Sequence, residues 1–229
     1  MENLINTFFD KIYVINLSYS VERKKSMIEQ FEKYNIKNVI FIEATDKNTL
    51  NFDELFEKNI YKNLYNCPSD CTCGGNGRHI VGVGNIALSI SHYRIYCDII
   101  ENGYNKCLIL EDDCIFLDEM YNFNDIENYI PEDWELLYLG NSKFISSTTT
   151  SEIGNLFFLK CFGVPCTHMY AITNNSAKIL SKNIFPIRAA IDGHLHRFII
   201  DKKILKNVYI CSNTFALNGS VENLIKMDR

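Results

Sequence analysis

The stretch Leu108-Ile-Leu-Glu-Asp-Asp-Cys-Ile-Phe116 places three consecutive carboxylates, Glu111, Asp112 and Asp113, in a run whose other residues belong in a buried strand. Taking one unpaired carboxylate out of water is costly, and adjacent like charges add repulsion. A solvated acidic turn would relieve both, and so would a hard divalent cation. Mg²⁺ and Mn²⁺ are bound through one or two carboxylates together with phosphate oxygens of a substrate, so a metal-assisted phosphate site is the chemistry to consider. Asp113 is the first candidate ligand and Asp112 the second.

A third ligand must come from elsewhere. Asp192, His194 and His196 cluster late in the chain, spaced so that one or two of them can face a common site. With His194 the candidate metal set is Asp112, Asp113 and His194. Asp192 also reads as a plain helix N-cap, and His196 as a side chain turned to solvent. A separate group, Cys67, Cys71 and Cys73 with His79, offers zinc-ligand types. Its C-x3-C-x-C-x5-H spacing matches no common finger, and a Gly- and Asn-rich loop that happens to contain thiols is the plainer reading. Cys97, Cys107, Cys114, Cys161 and Cys211 are scattered in apolar segments and read as small buried residues.

The elements that must position these groups are legible from pattern. Lys11–Leu17 is an apolar strand, followed by Ser20 as the N-cap of a helix carrying Met27, Phe31 and Tyr34. Val39–Glu43 is the next strand, and 48–64 reads as an irregular helix. Val83, Ile86, Ile90, Tyr93, Cys97 and Ile100 form an apolar stripe on a helix that stops at Asn102-Gly103. Lys106–Leu110 lacks alternation, as a strand buried on both faces would. Further strands are expected over Glu135–Leu139, Leu156–Cys161, His168–Thr173 and Val208–Cys211, with helices over Ser176–Asn183 and Asp192–Ile200. Interleaved strands and helices give an α/β fold with a largely parallel, Rossmann-like sheet flanked by helices, here taken as one domain over 1–229. Ligands in such sheets bind beyond the carboxyl ends of the strands, where Glu111–Asp113 emerge.

Composition sets the limits. With 229 residues, 47% hydrophobic, 22% charged and only 4 prolines, the chain has the material for a sizeable core and no evident linker. A net charge of −5 argues against a nucleic-acid binder. The N-terminus lacks a basic segment followed by a long apolar core, so neither a signal peptide nor a membrane span is expected, and the chain is assigned to the cytoplasm (a host cytoplasm, were the source viral).

The run from KIYVINLSYSVERKK through FIEATD, GVGNIALSISHYRIYCDIIENGYNKCLILEDD and PEDWELLYLG, with THMYAITNNSAKIL and Ile191-Asp-Gly-His-Leu195 later, resembles glycosyltransferase family 25. That family includes lipooligosaccharide and collagen hydroxylysine galactosyltransferases. The resemblance implies a GT-A type fold, a UDP-sugar donor with galactose or glucose as the hexose, Mn²⁺ or Mg²⁺, and inversion at the anomeric carbon. It also implies a glycan, lipooligosaccharide or hydroxylysine-type acceptor. The run before Ser91-His92 lacks the glutamate common in the family. On this reading Asn16 and Leu17 face the uracil or ribose, Arg23 the pyrophosphate, and Asp46 the base or ribose. Ser91, Glu111 and Asp112 complete the donor-binding set, and Asp192 and His92 are the candidate catalytic residues.

Two other readings compete. A nucleotidyltransferase would also need rim carboxylates, but no Gly-rich phosphate loop follows KIYVINL. A degenerate transferase serving as a binding or assembly module would account for the missing glutamate. Whether the chain forms a homodimer is not legible in the sequence.

Overall fold

The computed structural model describes residues 3–62, 64–65, 78–79, 81–140, 158–161, 167–196, 202–212 and 214–219. In chain order the helices are α1 (Ile5–Phe8), α2 (Val21–Lys33), α3 (Phe52–Glu57), α4 (Val83–Asn102), α5 (Phe123–Ile126), α6 (Asn174–Asn183) and α7 (Ile191–His194). The strands are β1 (Lys11–Asn16), β2 (Val39–Glu43), β3 (Leu64–Tyr65), β4 (Arg78–His79), β5 (Lys106–Glu111), β6 (Cys114–Phe116), β7 (Leu136–Tyr138), β8 (Phe158–Lys160), β9 (Met169–Thr173), β10 (Val208–Cys211) and β11 (Ala216–Asn218).

Among the described residues the main sheet has seven strands in the order β2-β1-β5-β9-β7-β10-β8. β1 pairs parallel with β2 and β5, and β7 with β10, whereas β9 and β8 run against their neighbours. Most strands therefore share one direction, as expected for a largely parallel sheet. From β1 the chain crosses through α2 to β2 on one side, then returns through α4 to β5 on the other. The carboxyl ends of β1 and β5 thus form a topological switch point, the place where open α/β sheets leave a crevice.

Each inner strand divides its side chains between two cores. Ile12, Val14, Leu108 and Leu110 pack with Met27 and Phe31 of α2. Tyr13, Ile15, Cys107 and Ile109 pack with Ile95, Tyr96 and Ile99 of α4. This is the period-two consequence of a sheet covered on both faces, and it explains why Lys106–Leu110 shows no polar alternation. Each fully buried aliphatic or aromatic side chain here contributes about 1.5–3 kcal/mol.

Three local expectations need correcting. The helix read over 48–64 is broken: Asp46 accepts from Asn48 N and starts a 3₁₀ turn, and Asn51 accepts from Glu54 N and starts α3. These short side chains compete for backbone donors, and Asn59 at φ 58° ends the segment. On α4 the apolar stripe is not the most deeply buried face. Val83 is exposed, while Ser89, Ser91, His92, Ile95, Tyr96 and Ile99 are buried. The stripe instead meets an outer layer, where Ile90 packs near Ile187 and the Tyr93 ring lies 4.7 Å from that of Phe185. α4 stops at Gly103, whose φ of 68° suits glycine. The late helix starts at Ile191 and is α-helical only to His194; 197–200 lie outside the described residues. The strands β6 and β11, which pair antiparallel beside the acid cluster, are too short to leave a periodic signal.

Candidate active site

A cleft of about 370 Å³ opens at the switch point. Leu17, Tyr19, Ser20 and Arg23 line it from the end of β1 and the start of α2, and Ala44 to Lys47 from beyond β2. Gly84, Ala87, Leu88 and Ser91 of α4 form one wall, and Glu111, Asp112 and Asp113 the rim beyond β5. Leu17, Arg23, Asp46, Ser91 and all three acids, singled out from sequence, are thus brought together.

Two of the three neighbouring carboxylates, Glu111 and Asp112, turn to different side-chain partners, which relieves much of the repulsion within the cluster. Glu111 turns inward: its Oε1 accepts from Thr167 Oγ1 at 2.7 Å and lies 3.7 Å from His92 Nε2. Burial pushes the Glu111 carboxyl up, but His92, Thr167 and the nearby His168 outweigh it and hold the acid below the ordinary glutamate value. Asp112 turns along the rim. Its Oδ2 accepts from Asn16 Nδ2 at 2.7 Å and its Oδ1 from Arg23 Nη1 at 2.9 Å. Asp113 is fixed through its backbone, whose carbonyl accepts from Gly219 N at 2.7 Å. Asn16 is buried and acts on the cleft through Asp112 rather than lining it.

Beneath the rim lies a buried polar layer. His92 is 0% exposed, with Nδ1 2.8 Å from the Tyr170 hydroxyl, which lies 2.8 Å from that of Tyr96. His92, a catalytic candidate from sequence, is sealed behind Glu111 and does not line the cleft. The Ser91 Oγ accepts from Thr45 N at 2.8 Å and donates to Ala87 O at 3.0 Å, which ties the Asp46 loop to α4.

Asp192 and His194 sit on α7 and do not line the cleft. Asp192 is partly buried and accepts from Gly193 N at 2.6 Å through Oδ1. His194 is buried with Nε2 3.2 Å from the Asn183 carbonyl, and burial lowers its pKa to about 4. Among the described residues, no group of three or more His, Cys, Asp or Glu side chains is arranged to hold a metal. His194 is therefore not brought to the acids, and this part of the sequence-based metal set is corrected: helix packing has claimed the ring. His196 follows on the same turn and is partly exposed. Cys67, Cys71 and Cys73 lie outside the described residues, as does the His79 side chain, so the zinc expectation falls there too. Cys107, Cys114, Cys161 and Cys211 are buried, as small apolar residues would be.

Sequence reasoning missed three residues of the site. Tyr19 is 63% exposed and lines the mouth of the cleft together with Asp46. Its position, two residues past an apolar strand, was available as a signal. Thr167 is recognisable only by its contact with Glu111. Gly219 matters because a Cβ there would stand 2.7 Å from the Asp113 carbonyl oxygen.

The model of "Glycosyltransferase family 25 (LPS biosynthesis protein)" matches residues 9–195, which span the cleft, the acids and α7. The chain belongs to glycosyltransferase family 25. The family 25 chain is 28% identical over 144 residues to human procollagen galactosyltransferase 2, covering 59% of this chain and 21% of that protein. It is also 28% identical over 142 residues to the mouse inactive glycosyltransferase 25 family member 3, covering 59% and 22%. It thus spans about a fifth of the length of these relatives. Among solved structures it is similar to a glycosyltransferase involved in glycosylation of the major capsid of PBCV-1, with a TM-score of 0.46 and 9% identity, covering 96% of this chain and 100% of that one. Among the described residues of this family 25 chain, no helix is long and apolar enough to cross a membrane.

Proposed function

We propose that this chain transfers a hexose, galactose or glucose, from a UDP-sugar to a hydroxyl of a glycan or glycoprotein acceptor, with inversion at the anomeric carbon. One observation carries the reading: a single cleft at the β1–β5 switch point is lined by both a guanidinium, Arg23, and two carboxylates, Asp112 and Asp113. A sugar nucleotide needs that pairing, because its diphosphate is doubly anionic and recruits divalent cations. The family match supports the same reading.

The donor set fits a divalent cation, Mn²⁺ or Mg²⁺. Asp112 and Asp113 both line the cleft with hard oxygen donors, and such ions need only one or two carboxylates when a diphosphate supplies further oxygens. His194 is not required. Bound there, the ion would counter the charge that grows on the departing diphosphate. The chain's own residues do the rest. Arg23 offers a second positive group to the diphosphate, and the uncapped start of α2 at Ser20 presents backbone N–H groups beside it. Leu17, Tyr19 and Asp46 form the wall against which the base and ribose rest. Single-displacement inversion requires a general base for the acceptor proton; Asp192, within the span of the family match but on α7 outside the donor cleft, is proposed for that part on the acceptor side.

The second reading, a non-catalytic module on a transferase fold, is favoured by one observation. The mouse relative named inactive is matched at the same 28% identity as a human relative named a galactosyltransferase. Overall likeness therefore does not separate the two. Hydrolysis and transfer assays with UDP-galactose, UDP-glucose and UDP-N-acetylglucosamine, with Mn²⁺ or EDTA, do separate them. Turnover of one donor that EDTA and Asp113→Asn abolish supports the enzyme; binding without turnover of any donor supports the module.

A further inference from the structure

The ion pair between Arg23 and Asp112 joins the two groups that the proposed donor complex needs apart. Arg23 Nη1 lies 2.9 Å from Asp112 Oδ1, with the two side chains 54% and 12% exposed. The other oxygen of the same carboxylate, Oδ2, is held 2.7 Å from the Asn16 amide, which also reaches the Ser20 carbonyl at 3.3 Å. Asp112 is thus anchored at one oxygen by a buried neutral donor and at the other by a half-exposed cation. Of the two, only the second can leave without the carboxylate losing its orientation, since Asn16 ends β1 and Arg23 is a long side chain on the first turn of α2.

We propose that Arg23 holds the metal-binding oxygen of Asp112 in the nucleotide-free protein and exchanges it for the diphosphate when the donor arrives, so that cation and nucleotide bind as coupled ligands. This rests on the donor-site reading above and deepens it. Without nucleotide, a divalent ion must displace the guanidinium from Asp112 Oδ1 and then sit beside an unpaired positive charge. When a diphosphate is present, Arg23 has a better anion to face, Oδ1 is released, and Asn16 keeps the carboxylate aimed. By linkage, the cation raises nucleotide affinity by the same factor as the nucleotide raises that of the cation. An exposed ion pair contributes little by itself, but removing a positive charge about one ion diameter from a divalent site adds to the effect.

The test is calorimetric titration of the full chain with Mn²⁺ alone, with UDP alone and with UDP in saturating Mn²⁺, for wild type, Arg23→Gln and Arg23→Lys. The two affinities are expected to move in opposite directions in Arg23→Gln: Mn²⁺ alone binds about three- to ten-fold more tightly, while UDP with Mn²⁺ binds at least about ten-fold more weakly. Arg23→Lys, which keeps the charge, holds Mn²⁺ affinity near wild type. A purely structural role for Arg23 would weaken both ligands together. If Arg23→Gln leaves Mn²⁺ affinity unchanged or lowers it while wild type still binds UDP with Mn²⁺, the exchange is wrong and the donor site stands. If wild type binds neither ligand in any combination, both fall.

Discussion

The His92 imidazole lies wholly buried 3.7 Å from the Glu111 carboxylate, on the side of the acid facing away from the cleft. The single histidine of α4 thus stands behind the rim, joined through Tyr170 to Tyr96 deeper in the core. Replacing it leaves a mostly buried carboxylate with Thr167 as its remaining close partner. His92→Phe is expected to destabilise the fold by about 1–3 kcal/mol in a urea titration, the range for stranding a buried polar group. An unchanged midpoint would show that the pair contributes nothing.

Gly219 presses on the other side of the cluster. A methyl group there would meet the Asp113 carbonyl oxygen at 2.7 Å, a backbone atom that cannot rotate aside. Gly219→Ala is expected to cost about 1–3 kcal/mol, as overpacking does, and to weaken UDP binding in Mn²⁺ through the displaced acid turn. Retention of both properties would mean that the turn after β11 has slack that its contacts do not reveal.

Tyr19 is so exposed that it has little part in stability, yet it stands at the mouth of the cleft. Tyr19→Ala is expected to leave thermal stability within about 0.5 kcal/mol of wild type. UDP affinity should fall about three- to thirty-fold, with that for inorganic pyrophosphate unchanged, because only the nucleoside meets the ring. Equal losses for both ligands would move Tyr19 from the base to the phosphates.

His194 gives the fold a dependence on pH. Burial lowers its folded-state pKa to about 4 from an ordinary 6.5, so the unfolded chain binds the proton more readily. Its contribution is complete above about pH 6.5 and is lost as pH falls toward 4, amounting to about 3 kcal/mol. His194→Gln, which can still donate to the Asn183 carbonyl, is expected to flatten the urea midpoint over that window relative to wild type. Parallel pH profiles would show that His194 takes up its proton without unfolding.

Much of this arrangement was legible in the chain. β1 and β5 carry unbroken apolar runs that end in Asn16 and Glu111, and a sheet covered on both faces demands that pattern, so the rim and its acids could be located without coordinates. Arg23 was legible as a cation on the first turn of α2. The pairing of Asp112 with both Asn16 and Arg23 was not, since contacts 96 and 89 residues apart in sequence leave no local trace. α4 misled for a related reason: its apolar stripe marks the face toward α6 and Phe185, while Ser91 and His92 are buried through hydrogen bonds that periodicity does not register. His194 misled because a histidine near an aspartate reads as a ligand until packing shows its ring turned to the Asn183 carbonyl. Gly219 and Thr167 gave no signal, because each matters only through a contact with an acid more than fifty residues away.

The most direct test of the donor site is a structure determined with UDP and Mn²⁺ bound. The diphosphate is expected between Arg23 and the Asp112–Asp113 rim, with the metal on Asp112 Oδ1 and Asp113, Arg23 turned away from Asp112, and the uracil against Leu17, Tyr19 and Asp46. A nucleotide bound elsewhere, or a cleft that stays empty at saturating UDP and Mn²⁺ with the 2.9 Å Arg23–Asp112 pair intact, would contradict the proposed donor site.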